Sequence, residues 1–124
     1  PAQLPWRMRG AALLLAEIAP APAAAVAATC VFTLECVDAE PCAETDYTLT
    51  LSGGMQDAVL SDDSGDVAGA LSFTPSGATY VFAVAERASH LLTVMGPDGA
   101  ARYTLHLPAA GMAITYHGTC EAAR

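Results

Sequence analysis

Ala101-Arg102-Tyr103-Thr104-Leu105-His106-Leu107-Pro108-Ala109-Ala110-Gly111-Met112-Ala113-Ile114-Thr115-Tyr116-His117 decides the fold. On both sides of the Pro108–Gly111 turn, residues alternate with period two, the mark of a half-buried β-strand. Folded back on itself, the segment aligns Leu107 with Met112, Leu105 with Ile114 and Tyr103 with Tyr116 on one face. The other face then carries His106 with Ala113, Thr104 with Thr115 and Arg102 with His117. One register satisfies both faces. A slip of one residue would turn every apolar side chain to water.

The same alternation runs upstream. Its spacing predicts eight strands at 30–37, 45–52, 56–61, 67–74, 78–86, 90–96, 101–107 and 112–120. Turn residues punctuate them, among them Gly53-Gly54, Asp62-Asp63-Ser64-Gly65-Asp66, Pro75-Ser76-Gly77 and Gly96-Pro97-Asp98-Gly99. Connections this short make sequential neighbours pair as an antiparallel meander. Closing eight such strands removes the exposed edges, and at that strand number side chains just fill the interior. The expected fold is all-β: a small eight-stranded antiparallel barrel with a packed core and no ligand cavity.

The first part of the chain reads differently. Arg7-Met8-Arg9 is followed by the apolar run Gly10–Ala16 and an Ala/Pro-rich stretch ending Val26-Ala27-Ala28. Basic, then apolar, then small is the layout of a secretory signal peptide. Val26 and Ala28 place the expected cleavage after Ala28, with Met8 the expected start and residues 1–7 upstream of it. A membrane span needs about 20 apolar residues, and Glu17, Pro20 and Pro22 interrupt this run. A lipid anchor on Cys30 is not expected, since Thr29 replaces the usual small residue and three Cys would remain. Residues 1–28 therefore form the expected leader and 29–124 a single domain that is periplasmic or secreted.

Four Cys in a small exported domain point to two disulfides, for which three connectivities exist. Cys30 and Cys36 fall on one face of the first strand, about 20 Å apart and beyond bridging distance. In a closed meander, Cys30 at the start of the first strand meets Cys120 at the end of the last. Cys36 and Cys42 flank the first loop. Cys30–Cys120 with Cys36–Cys42 is the pairing that bends no strand.

Charge bounds the partners. Residues 29–124 hold three Arg against twelve acidic residues, a formal charge of −9. Such a chain repels nucleic acid and favours basic partners. The chemistry of known sites is hard to find in it. Asp62, Ser64 and Asp66 mimic the start of a calcium loop, but Val67 and Phe73 stand where Gly and Glu are required. Asp62, Asp63 and Asp66 remain candidates for a surface cation site. His90, His106 and His117 are read as surface residues that do not converge, and no Ser lies in a G-x-S-x-G turn. No catalytic residue and no cofactor is expected, and the chain is not read as an enzyme.

Ser76-Gly77-Ala78-Thr79-Tyr80, with Ala58-Val59-Leu60 before it and Cys120 closing the chain, resembles the small periplasmic inhibitors of c-type lysozyme. Thr79 stands where those proteins carry a basic residue, and Cys36 and Cys42 are an additional pair. The resemblance implies a partner-binding loop at Ser76, Gly77, Thr79 and Tyr80 that enters the cleft of a basic cell-wall hydrolase such as lysozyme. A second reading is a non-inhibitory envelope protein that binds a protein partner or a cation through acidic loops. These loops (Val37–Pro41, Asp62–Asp66, Glu86–Ser89) belong at one end of the barrel and Ser76-Gly77 at the other. A homodimer through Val81, Ala83 and Ala85 on the outer face of the fifth strand is a further expectation.

Overall fold

The computed structural model describes residues 25–123, so residues 1–24 of the expected leader lie outside it. Eight strands follow one another: β1 (Val26–Val37), β2 (Ala43–Gly53), β3 (Ala58–Asp62), β4 (Gly65–Phe73), β5 (Thr79–Val84), β6 (Ser89–Met95), β7 (Ala100–Leu107) and β8 (Met112–Ala122). Each pairs antiparallel with the next, and β8 returns to β1 to close the barrel. The β7–β8 hairpin has the register expected from its alternation, from Leu107 opposite Met112 to Arg102 opposite His117. Its turn is a short 3-10 segment, Pro108–Ala110, ended by Gly111 at φ 62°. That left-handed conformation suits glycine.

Inward side chains fill the middle of the barrel. Phe32, Leu49, Leu51, Leu60, Leu71, Val81, Leu92 and Tyr103 are buried together, with the Cys30–Cys120 bridge beside them. Both expected disulfides are present, and Cys30 and Cys120 sit directly opposite each other on β1 and β8.

β1 departs from the expected pattern in two ways. It begins at Val26, not at residue 30, and Val26 pairs with Gly53 while Ala28 pairs with Leu51 and Ala122. Both pack against the core. Residues expected to leave with the leader thus form the first rungs of the sheet. Further along, Phe32 pairs with Gly118 but Leu34 pairs with His117, leaving Thr33 as a bulge. An extra residue reverses the parity of everything after it, so Cys36 does not share the face of Cys30. Gly118 permits the close crossing, because a Cβ there would fall on the Val31 carbonyl oxygen.

The fifth strand also corrects an expectation. Val81 and Ala83 point into the core, and Ala85 lies beyond the strand and half-buried. The outer face of β5 carries Tyr80, Phe82 and Val84 instead, each exposed. Both faces of β5 are apolar, so its inward parity is set only by the neighbouring strands. Val81 is opposite both Leu71 and Leu92, and all three are buried.

Candidate functional site

The meander sorts the loops into two groups. The β1–β2, β3–β4, β5–β6 and β7–β8 connections open on one end, and the other three connections on the opposite end. Nine of the twelve acidic residues between 25 and 123 lie toward the first end: Glu35, Asp38, Glu40, Glu44, Asp46, Asp62, Asp63, Asp66 and Glu86. Like charges gathered on one small end produce a field that steers cations and basic proteins toward it.

Beneath that end lies a buried polar assembly. The Tyr47 hydroxyl donates to Asp62 Oδ2 at 2.5 Å, across the barrel mouth from β2 to β3. The other oxygen of Asp62 accepts from the Ser64 amide at 2.8 Å and the Ser64 hydroxyl at 2.6 Å. These bonds close the β3–β4 turn, in which Asp62 pairs with Gly65 and only Asp63 and Ser64 stand free. The rings of Phe32, Tyr47, Tyr103 and Tyr116 contact one another, Tyr47 and Tyr103 nearly parallel at 6.2 Å. His90 stacks on Tyr103, with Nδ1 2.6 Å from the Tyr103 hydroxyl.

This placement of His90 corrects the reading of it as a surface residue. It is 7 % exposed and opposite Leu105 on the inner face. The signal was available, since His90 shares the parity of Leu92 and Leu92 is fully buried. His106 is exposed and His117 half-buried on the outer wall, so the three do not converge. Tyr47, Tyr103, Tyr116 and Glu35 were not singled out as a group from sequence either. They come from four different strands, β1, β2, β7 and β8, that meet only when the barrel closes.

The environment sets the protonation of these groups. Burial pushes the His90 imidazole below its ordinary value, and the Asp62 charge offsets only part of that. Burial also works against the Asp62 carboxylate, but hydrogen bonds from Ser64, Tyr47 and Gly65 outweigh it and hold its pKa low. Burial, then the bond to Asp62, push Tyr47 far up. Burial and the Asp62 charge raise Tyr103 to about 12. Tyr116 is raised by burial and by Glu35. At neutral pH the assembly is therefore three neutral phenols and a neutral imidazole against an ionised Asp62. A recess of about 170 Å³ opens over it, lined by Asp62, Ser64, Asp66, His90, Tyr103 and Leu105 among others.

A cation site at Asp62, Asp63 and Asp66 finds little support in this geometry. Both oxygens of Asp62 already accept hydrogen bonds from the chain. Among the described residues no group of three His, Cys, Asp or Glu could hold a metal ion.

The Ser76 loop sits at the opposite end, in the turn between β4 and β5. Thr74 braces it: its amide donates to the Ala78 carbonyl at 2.9 Å, and its carbonyl accepts from Gly77 at 3.0 Å. The Thr74 and Ser76 hydroxyls are 2.9 Å apart. Pro75, Ser76 and Gly77 form an exposed tip, with Gly77 at φ 93°. Thr79 and Tyr80 diverge from it: Thr79 is half-buried beside Val94 and Leu51 at the barrel mouth, and Tyr80 is exposed on the outer wall. The four residues therefore share a hairpin and present three different directions.

No family model, curated protein or solved structure matches this chain.

Proposed function

We propose that this chain is an exported binding module for a basic protein, with a basic cell-wall hydrolase such as a c-type lysozyme as the partner class. The observation that carries the reading is the gathering of nine carboxylates at one end of a closed, disulfide-bridged barrel. Such a field raises the association rate of a cationic partner and disfavours anionic ones. The module performs no chemistry in this reading, and binding alone blocks or recruits the partner.

Two docking modes follow. In the inhibitory mode the braced tip at Ser76 and Gly77 enters the hydrolase cleft, with Tyr80 and Thr79 beside it. Its support is rigidity: a tip held by Thr74 loses little freedom on binding. In the second mode the acidic end itself docks and inhibition does not follow. The position of the carboxylates favours this mode, since the uncharged tip lies at the far end of the barrel.

Titration of the oxidised chain against a c-type lysozyme in a turbidity assay, at low and moderate salt, tests the reading. Inhibition that persists at moderate salt and is lost in Ser76→Ala/Tyr80→Ala supports the cleft mode. Binding without inhibition, weakened by salt and by neutralising Asp62, Asp63 and Asp66, supports the acidic-end mode. Absence of binding at both salts overturns the lysozyme class.

A further inference from the structure

Closure gives every strand two neighbours, but not along its whole length. β2 has 11 residues and pairs with β1 from Ala43 to Gly53. On its other side only Thr50, Leu51 and Ser52 have partners, because β3 turns back at Asp62. Residues 43–49 therefore run past the end of β3 as a bare strand edge. Alternate residues of an antiparallel strand direct their N–H and C=O groups to opposite sides, so about half of this stretch offers its backbone to the open side. β4 overhangs β3 in the same way beyond Gly69, and there the Met55 carbonyl fills the gap, accepting from the Leu71 amide at 2.8 Å. Among the described residues no such backbone bond reaches residues 43–49.

Charge selects what can pair there. From Glu44 onward β2 alternates without a break: Glu44, Asp46 and Thr48 are exposed on the outer face, and Thr45 and Tyr47 are half-buried on the inner one. A groove of about 590 Å³ separates this edge from the β3–β4 turn, with Asp46, Asp62 and Asp63 among its lining. We propose that the β2 edge takes up an extended segment of a basic partner, which adds a strand to the sheet beside residues 43–49. In such strand addition the backbone bonds supply affinity and alternate side chains supply selectivity. Lys or Arg at every second position of the segment lies beside Glu44, Asp46 and Asp63. The positions between them face Thr45 and Tyr47 and suit small or apolar side chains.

A second copy of this chain is a poor occupant, because edge-to-edge pairing sets Glu44 and Asp46 against the same carboxylates. The Cys36–Cys42 bridge ties down the chain just before β2 starts, so little order has to be created on binding. This docking mode rests on the reading of the chain as a module for a basic protein, and it assigns the contact at the acidic end to one strand.

The test titrates a short capped peptide of alternating Lys and Thr into the oxidised, isotope-labelled chain, followed by NMR at moderate salt. The expected result is saturable binding, with amides at alternate positions of residues 43–49 gaining protection from hydrogen exchange. Methylating the backbone nitrogens of either the Lys or the Thr set leaves the charge intact. One of the two methylated peptides should bind about ten-fold more weakly or worse, because its pairing donors are gone. Glu44→Thr/Asp46→Thr keeps β-favouring residues at exposed positions and weakens binding several-fold. Glu121→Gln, at the far end of β8, leaves it unchanged. Equal binding by the unmodified and both methylated peptides overturns the proposal, since charge alone then accounts for it. So do an absence of saturable binding, shifts centred away from residues 43–49, and protection of this edge that grows with chain concentration without peptide. Peptide failure with lysozyme binding intact removes the edge and keeps the module; edge binding without lysozyme binding removes only the lysozyme class.

Discussion

Cys30 and Cys36 lie six residues apart on one strand, yet Cys30 is buried in the barrel and Cys36 faces outward. The Thr33 bulge separates them and gives each a different partner: Cys120 across the inside, Cys42 across the outer loop. The bridges span 90 and 6 residues of sequence, and a closed loop restricts the unfolded chain more when it is longer. The chain-entropy account gives about 4–5 kcal/mol for the first and about 2 kcal/mol for the second. Replacing Cys30 and Cys120 by Ala should lower the unfolding free energy in urea about twice as much as replacing Cys36 and Cys42. Equal losses would contradict the assignment.

Tyr47→Phe removes a donor from the half-buried Asp62 carboxylate. A charge-assisted hydrogen bond of this kind contributes about 1–2 kcal/mol, so the variant should be less stable by that amount at neutral pH. The folded pKa of Asp62 lies below its ordinary 3.8. Its contribution is therefore present above that value and lost as pH falls through the folded pKa. Urea unfolding of Tyr47→Phe and the unaltered protein should converge in acid.

His90 produces a separate step at higher pH. Burial lowers its pKa below 6.5, so the unfolded chain takes up a proton before the folded one does. Stability is complete above about pH 6.5 and declines as pH falls from there toward the folded pKa. A titration of His90 by NMR should give a value below 6.5. His90→Phe should remove this step from the pH dependence of unfolding while leaving the Asp62 step.

The tyrosines act in the opposite direction. Their folded pKa values lie above 10, that of Tyr103 at about 12. Their stabilising effect is complete below the unfolded value of about 10 and is lost as pH rises toward the folded values. Absorbance at the tyrosinate band should show Tyr47, Tyr103 and Tyr116 ionising together with unfolding. Smooth ionisation in the native state would disprove their burial.

A chain beginning at Thr29 lacks the rungs made by Val26, Ala27 and Ala28. Loss of their half-buried area and ladder hydrogen bonds should cost about 1–3 kcal/mol. Comparing its melting midpoint with that of a chain beginning at Ala25 measures the loss directly. N-terminal sequencing of the protein recovered from cells reports where its chain begins.

Strand number, hairpin register and disulfide pairing were legible because each rests on local parity or on the order of a meander. The β7–β8 register needed only residues 101–117, and the Cys30–Cys120 bridge needed only the rule that the last strand returns to the first. Parity failed where nothing local anchored it. β5 reads apolar on both faces, Val81 and Ala83 on one and Tyr80, Phe82 and Val84 on the other, so alternation alone could not say which turned inward.

Sequence by itself thus determined the barrel and its bridges, because period-two patterning and short turns leave neighbouring strands one way to pair. The tertiary structure alone decided the Thr33 bulge, the pairing of His90 with Tyr103 and the contact of Tyr47 with Asp62. Those depend on side chains from separate strands meeting across a closed mouth. Their geometry is set by closure and twist, which no single strand encodes.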